Sequence, residues 1–362
     1  MVCGQEGVCM KIVVLAGGLS PERSVSLVTG TSVCRALRQN GHRAILVDLF
    51  LGVEELPEDA ERLFDAPDGL CPEASIAAEE PDLDAVRAAR SDKSDCRFGP
   101  HVLDLCAMAD IVFLGLHGQD GEDGRVQAAF DLLGIKYTGG GYLASALAMD
   151  KSMTKRMMDA AGIPNAPWRD IPSYTHADIP ALVEELEVPC AVKVVNGGSS
   201  LGVALPDTKE ELAAALADML RYGSHLIVEK KITGCREFTI GILGDRALPA
   251  VEILPAVKEF DYAAKYQSGG ARELCPAPIT AGQQEEMGRL ALKLHRTLGL
   301  EVYSRTDFLM DAEGNFWCLE VNSLPGMTAA SLVPKEAAAI GMRYNELCEE
   351  IVQQSYRLKR RG

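Results

Sequence analysis

What this chain lacks narrows its functions before any motif is read. It has no apolar run approaching the roughly eighteen residues that a membrane-spanning helix needs, so no span and no membrane partner are expected. The amino terminus, Met1 to Cys9, has no basic segment ahead of an apolar core, so no secretory signal is read there and a cytoplasmic protein is expected. Met10 stands just before the first strand, and residues 1–9 read as an amino-terminal extension or the product of an upstream start. Basic charge is scarce: 36 Lys and Arg face 52 Asp and Glu, and a net charge of −16 speaks against nonspecific nucleic-acid binding, which needs a basic surface. Any anionic ligand must therefore be held by a few placed Lys and Arg residues. The eleven cysteines are an odd number with no Cys-x-x-Cys pair, against both a disulfide framework and a zinc site. Gly17-Gly18 lacks the full G-x-G-x-x-G spacing and a clear acidic ribose ligand, which removes an NAD site. There is no internal repeat or low-complexity tract.

What is there is an ordinary globular composition, 47% apolar and 24% charged over 362 residues, enough for two or three domains. Lys11 to Leu15 reads as a buried strand that turns through Gly17-Gly18 and Glu22 into helical periodicity from Ser24 to Gln39. The next strand, Ala44 to Leu49, completes a βαβ start. Glu22 is open to two readings, a first-turn acid favoured by the helix dipole or a ligand residue. Gly52 to about Arg97 is acidic and proline-bearing, as in an insertion of partly helical surface segments. The strand Asp110 to Leu116 delivers His117 and a glycine-rich loop to Gly124 at its carboxyl end, where ligands gather in open α/β sheets.

Tyr142 to Ala161 reads as one helix containing Met149-Asp150-Lys151, closed by Gly162-Ile163-Pro164, with a domain seam near Pro164 to Pro167. The strand Val188 to Val194 carries Lys193 near its end. Asn196 to Gly202 follows, a Gly/Ser loop that either folds backbone N–H groups onto phosphate oxygens or is a plain flexible turn. Helices are expected over Thr208 to Arg221, Thr280 to Leu298 and Tyr344 to Arg357, and strands over His225 to Lys230 and Arg236 to Leu243.

The last hairpin is the most informative stretch. Tyr303 to Met310 and Asn315 to Val321 are rich in aromatic and β-branched residues around the turn Asp311-Ala312-Glu313-Gly314. Centring that turn on Glu313-Gly314 sets Asp307 opposite Glu320 and Arg305 opposite Asn322, all four on one face. Two carboxylates and an amide so placed suit a hard divalent cation that also holds phosphate oxygens; the alternative is a solvated cross-strand ion cluster.

The order of these features resembles a known family. Lys151 in Met-Asp-Lys, Lys193 before Gly-Gly-Ser-Ser-Leu-Gly, Glu229-Lys230 leading to Glu237-Phe-Thr, and Asp307 with Glu320-Val-Asn322 resemble the ATP-grasp ligases. Leu19-Ser-Pro-Glu22, Leu116-His117-Gly, Tyr137-Thr-Gly-Gly-Gly, Asp261-Tyr-Ala-Ala-Lys265-Tyr266 and Ser323-Leu-Pro-Gly326 make the chain similar to the D-alanine:D-alanine ligases, from about Met10 to the end outside the acidic insertion.

The resemblance implies an α/β fold, α+β in parts. Its three-domain ATP-grasp architecture would run as a Rossmann-like, doubly wound domain over 10–148, a central domain over 149–228 and a carboxy-terminal domain over 229–362. It implies ligation of two D-alanines through an acyl phosphate for peptidoglycan precursor synthesis. The cofactors would be ATP and two magnesium ions, with manganese as a substitute and potassium as a candidate monovalent cation, and the assembly a homodimer.

By the same matching, Asp307, Glu320 and Asn322 would hold metal, and Lys151, Lys193, Ser200 and Lys265 the phosphates. Glu229, Lys230, Ile232 and Glu237 would bound adenine and ribose. Glu22 would hold the first D-alanine's ammonium, linked to Ser199 and Tyr266, and His117 would line that subsite. Ser331 and Leu332 would line the second, and Arg305 with the Gly326 N–H would stabilise the oxyanion. Tyr266 favours an amine acceptor over D-lactate, while D-serine stays open as second substrate. Thr306 and Ser304 depart from the commoner residues at their positions. A non-catalytic nucleotide-binding module is the competing class, and it would have lost one of these carboxylates or lysines.

Overall fold

The computed structural model describes residues 9–72, 74–75, 81–197, 202–255 and 271–360. Most of the amino-terminal extension, together with Ser199, Ser200, Lys265 and Tyr266, lies outside the described residues. The chain divides into two compact units. One reaches to Tyr142 and includes the segment from Leu324 onward, and the other is Leu143–Ser323.

The first unit is built on three parallel strands, β1 (Lys11–Ala16), β2 (Arg43–Asp48) and β3 (Ile111–Leu114), in the order β2-β1-β3. Ile12 to Ala16 and all of β3 are buried, as expected for strands covered on both faces. The helix Arg23–Gln39 crosses from β1 to β2 and packs against the last helix, Tyr344–Arg357, the amphipathic end expected from the sequence. The acidic stretch forms a short 3-10 helix, Ala60–Asp65, and a helix, Leu83–Ala89, with mostly exposed side chains. It is nonetheless anchored. Phe64 is wholly buried, Lys11 reaches Glu61 at 3.1 Å and Arg43 reaches Asp65 at 2.7 Å.

The second unit holds two antiparallel sheets. β4 (Trp168–Ile171), β7 (Leu226–Lys230), β5 (Cys190–Val194) and β6 (Val203–Ala204) lie in the order β4-β7-β5-β6. The larger sheet runs β11 (Ala271–Leu274), β10 (Val251–Pro255), β8 (Arg236–Leu243), β12 (Tyr303–Met310), β13 (Phe316–Asn322), with β9 (Arg246–Ala247) paired to β8. The helix Ala281–Thr297 starts from a Thr280/Gln283 capping box and lays Met287, Leu290, Ala291 and Leu294 on a core with Phe238, Ile240, Phe308 and Phe316. Among the described residues no helix is long and apolar enough to cross a membrane.

Two expectations need correction. Tyr142 to Ala161 is two helices, Tyr142–Met149 and Lys151–Ala161, because Asp150 leaves helical geometry and its side chain caps the second by accepting from Met153 N. In the final hairpin the residue pairs are those expected, Arg305 with Asn322 and Asp307 with Glu320, but next to the turn the register is one lower, so the turn is centred on Glu313 rather than between Glu313 and Gly314. Asp311 N bonds Asn315 O, Met310 faces Phe316, and a bulge between Asp307 and Phe308 restores the expected register toward the open end.

Candidate active site

In the first unit the carboxyl ends of β1 and β3 bring together residues from three segments. Arg23 Nη1 donates to Gly18 O at 2.7 Å and Arg23 Nη2 pairs with Asp48 at 2.5 Å, fixing the turn that carries Glu22. His117, just past β3, is buried, with Nε2 2.9 Å from Thr29 Oγ1 and Nδ1 3.6 Å from Glu122 Oε1. Burial alone would lower the His117 pKa, but the carboxylates of Glu122 and Glu22 and the Leu324 backbone raise it. Glu122 is raised as well, by burial first and by Glu22 beside it, against the opposing pull of His117.

Gly118 shows how tightly this corner is built. It sits at φ +70, and a Cβ there would lie 2.5 Å from Ser20 Oγ and 2.9 Å from Glu22 Oε2. Glu122 was not picked out from sequence; its place five residues after a candidate histidine, in the same glycine-rich loop, was the available signal. Farther along the unit, Ser331 stands at the N-cap position of the helix Leu332–Ala339 without a side-chain capping bond; its Oγ instead accepts from Thr328 N at 3.0 Å, and a Cβ on Gly326 would come within 2.9 Å of that oxygen. Gly326, Ser331 and Leu332 thus form one local constellation.

The second unit carries the charged residues. Asp307 accepts from Thr239 Oγ1 at 2.6 Å on β8, from Arg305 Nε and Nη2 at 3.1 and 3.2 Å, and from Asn322 Nδ2 at 3.4 Å. Glu320 pairs with Lys151 at 3.3 Å, and Lys151 also donates to Gly197 O at 2.6 Å. Lys193 pairs with Glu229 at 2.5 Å, and Lys155 occupies the other oxygen of that carboxylate. Burial would lower the Lys193 pKa, yet Glu229, Glu320 and Glu237 together raise it. Burial would raise the Glu229 pKa, yet Lys193 and Lys155 lower it.

Lys151, Lys193, Glu229, Glu237, Arg305, Asp307, Glu320 and Asn322 therefore fall in one electrostatic neighbourhood. Lys230 and Ile232 lie at and just beyond the end of β7, with Lys230 exposed. Two carboxylates and an amide fit a hard cation by donor chemistry, and among the described residues no group of three His, Cys, Asp or Glu forms a competing metal site. Lys155 also escaped the sequence reading, although it stands one helical turn from Lys151 on the same face.

Residues 11–140 match the family "D-ala D-ala ligase N-terminus" and residues 157–353 match "D-ala D-ala ligase C-terminus". A D-alanine–D-alanine ligase of Pediococcus pentosaceus is 41% identical over 95% of this chain and 97% of its own length. The chain belongs to the D-alanine–D-alanine ligase family. A Lacticaseibacillus casei member is 38% identical over 96% of both chains. Among solved structures, the Bacillus anthracis member aligns with a TM-score of 0.71 at 30% identity, covering 96% of this chain and 98% of that one, and it has also been solved in complex with ATP. The fold is thus that of the family, the ATP-grasp architecture, as the motifs implied. Membership makes the protein a ligase.

Proposed function

We propose that the protein joins two D-alanine molecules into D-alanyl-D-alanine, converting ATP to ADP and phosphate, in the cytoplasm and for peptidoglycan precursors. The observation that carries the assignment of residues is the convergence of Lys151, Lys193, Asp307, Glu320 and Asn322 in a chain that matches the family along nearly its whole length.

Magnesium, bound as two ions by Asp307, Glu320 and Asn322 and replaceable by manganese, would supply charge neutralisation on the phosphate oxygens. Lys151, Lys193 and Lys265 hold the phosphates and, with Ser200, align the γ-phosphate with the carboxylate of the first D-alanine. Phosphoryl transfer needs this alignment and neutralisation more than covalent help. Glu229, Lys230, Ile232 and Glu237 border the adenine and ribose. Glu22, linked to Ser199 and Tyr266, holds the first ammonium, and His117 lines that subsite.

The carboxylate attacks the γ-phosphorus and ADP leaves, giving D-alanyl phosphate. The amine of the second D-alanine, seated by Ser331 and Leu332, then attacks the acyl carbon and phosphate leaves with the acyl C–O bond broken. Arg305 and the Gly326 N–H stabilise the oxyanion in between. The family resemblance extends the proposal to a three-domain division, a homodimer and a monovalent cation such as potassium, and Tyr266 favours an amine acceptor.

Phosphate release from magnesium-ATP tests this, with D-alanine, D-serine, D-lactate and L-alanine offered alone and in pairs and the product's mass read alongside. Release with D-alanine alone and a D-alanyl-D-alanine product is expected. Release only with D-serine or D-lactate added would move the acceptor, and no release with any of them would return the protein to the nucleotide-binding class.

A further inference from the structure

Glu229 is 2% exposed, with a lysine on each carboxylate oxygen: Lys193 at 2.5 Å on Oε2 and Lys155 on Oε1. The two cations differ in access. The Lys193 side chain keeps 13% of its surface exposed, whereas that of Lys155 keeps 1% and spends a further donor on Cys318 O at 3.4 Å. Lys155 therefore cannot touch a ligand itself. A Lys193–Glu229 pair standing alone would be neutral, and a neutral pair is a poor partner for a polyphosphate. With Lys155 added, these three side chains carry one net positive charge, and its accessible end is the Lys193 ammonium; Glu320 and Glu237 also act on that ammonium, Glu320 being itself paired with Lys151 at 3.3 Å.

We propose that Lys155 is a positioning residue for the nucleotide's phosphates: it occupies and neutralises Glu229, so that Lys193 is held on β5 with a positive charge left to give to a phosphate. This rests on the reading of Lys193 as a phosphate ligand. Burying an ammonium beside a carboxylate is costly unless both are paired, so a triad of this kind is weak evidence for stability and better explained by what it presents.

The test compares ADP with adenosine, which differ only in the phosphates, by competition binding on the full chain with magnesium at fixed ionic strength. The readout is the ratio of the two affinities, in which any general damage to the adenine pocket cancels. K193M should lower that ratio by about tenfold or more, the size expected when a unit charge is removed near the phosphates. K155M should lower it by a similar factor although Lys155 never meets the ligand. The double variant K155M/E229Q, which again leaves one net positive charge, should return the ratio to within about threefold of the wild type.

An unchanged ratio in K155M, or no recovery in the double variant, overturns the inference. An unchanged ratio in K193M instead overturns the assignment of Lys193 to phosphate, a separate failure. If K155M does not fold, the double variant decides: a ratio near the wild type supports the inference, and one as low as that of K193M refutes it.

Discussion

Lys193 and Glu229 stand two positions out of register on neighbouring antiparallel strands, Lys193 opposite Ile227 and Glu229 opposite Ala191, and their side chains meet at 2.5 Å on one face of the sheet. The diagonal contact follows from the two-residue alternation of a strand. It links residues remote in sequence and leads, through Glu320, to Lys151 and the hairpin carboxylates.

Replacing Glu320 by Gln keeps the strand and its packing but removes one metal carboxylate and the partner of Lys151. Turnover should fall by about a hundredfold or more, with the magnesium requirement moved to higher concentration and thermal stability little changed. A magnesium titration of the initial rate checks it, and a near-normal rate at ordinary magnesium would contradict the hairpin reading.

Gly118 should tolerate no side chain. An alanine there meets both Ser20 Oγ and Glu22 Oε2 and is strained at φ +70, at a cost of about 1–2 kcal/mol. Displacing Glu22 should raise the KM for the first D-alanine roughly tenfold or more while the KM for ATP holds. Initial-rate kinetics over both substrates separates the two constants.

The pair His117 and Glu122 makes stability depend on pH in a definite direction. The folded His117 pKa is raised, so the stability its charged ring contributes is complete below the unfolded value of about 6.5 and is lost as pH rises through the folded value. The raised Glu122 acts in the same sense, since the fold holds its proton more tightly than the unfolded chain does. The wild-type melting temperature minus that of E122Q should therefore fall as pH is raised from about 6 to 8. A difference that rises over this window would refute the pairing.

The 3-10 helix of the acidic insertion is tied at the amino ends of β1 and β2 through Glu61 and Asp65, with Phe64 buried, whereas Arg97 at the insertion's far end reaches Asp120 of the glycine-rich loop at 3.3 Å. Phe64→Ala should cost about 3–5 kcal/mol in chemical denaturation and leave both KM values within about twofold. A large rise in the KM for ATP at unchanged stability would show the insertion serving the site instead.

The hairpin and its shared face were legible in the sequence from alternation and turn residues, but the pairs Asp307 with Glu320 and Arg305 with Asn322 came out as expected only because a bulge offsets a turn register one lower than the one read. The bulge that completes it was not legible, since a single extra residue in a strand leaves no pattern of its own. The end of one helix at Met149 and the start of another at Lys151 rest on one Asp150 side chain turning to cap the backbone, which composition does not announce.

What the sequence by itself determined is the set of local elements, the family motifs and the residues that bring charge to them, because propensity, spacing and turn chemistry act over a few residues. Only the tertiary structure decided which of those charges meet. Glu122 joins Glu22 from a hundred residues away, and Lys155 joins Glu229 and Lys193 from elements tens of residues apart in the chain. Such meetings are settled by sheet order and packing, which no short stretch of sequence contains.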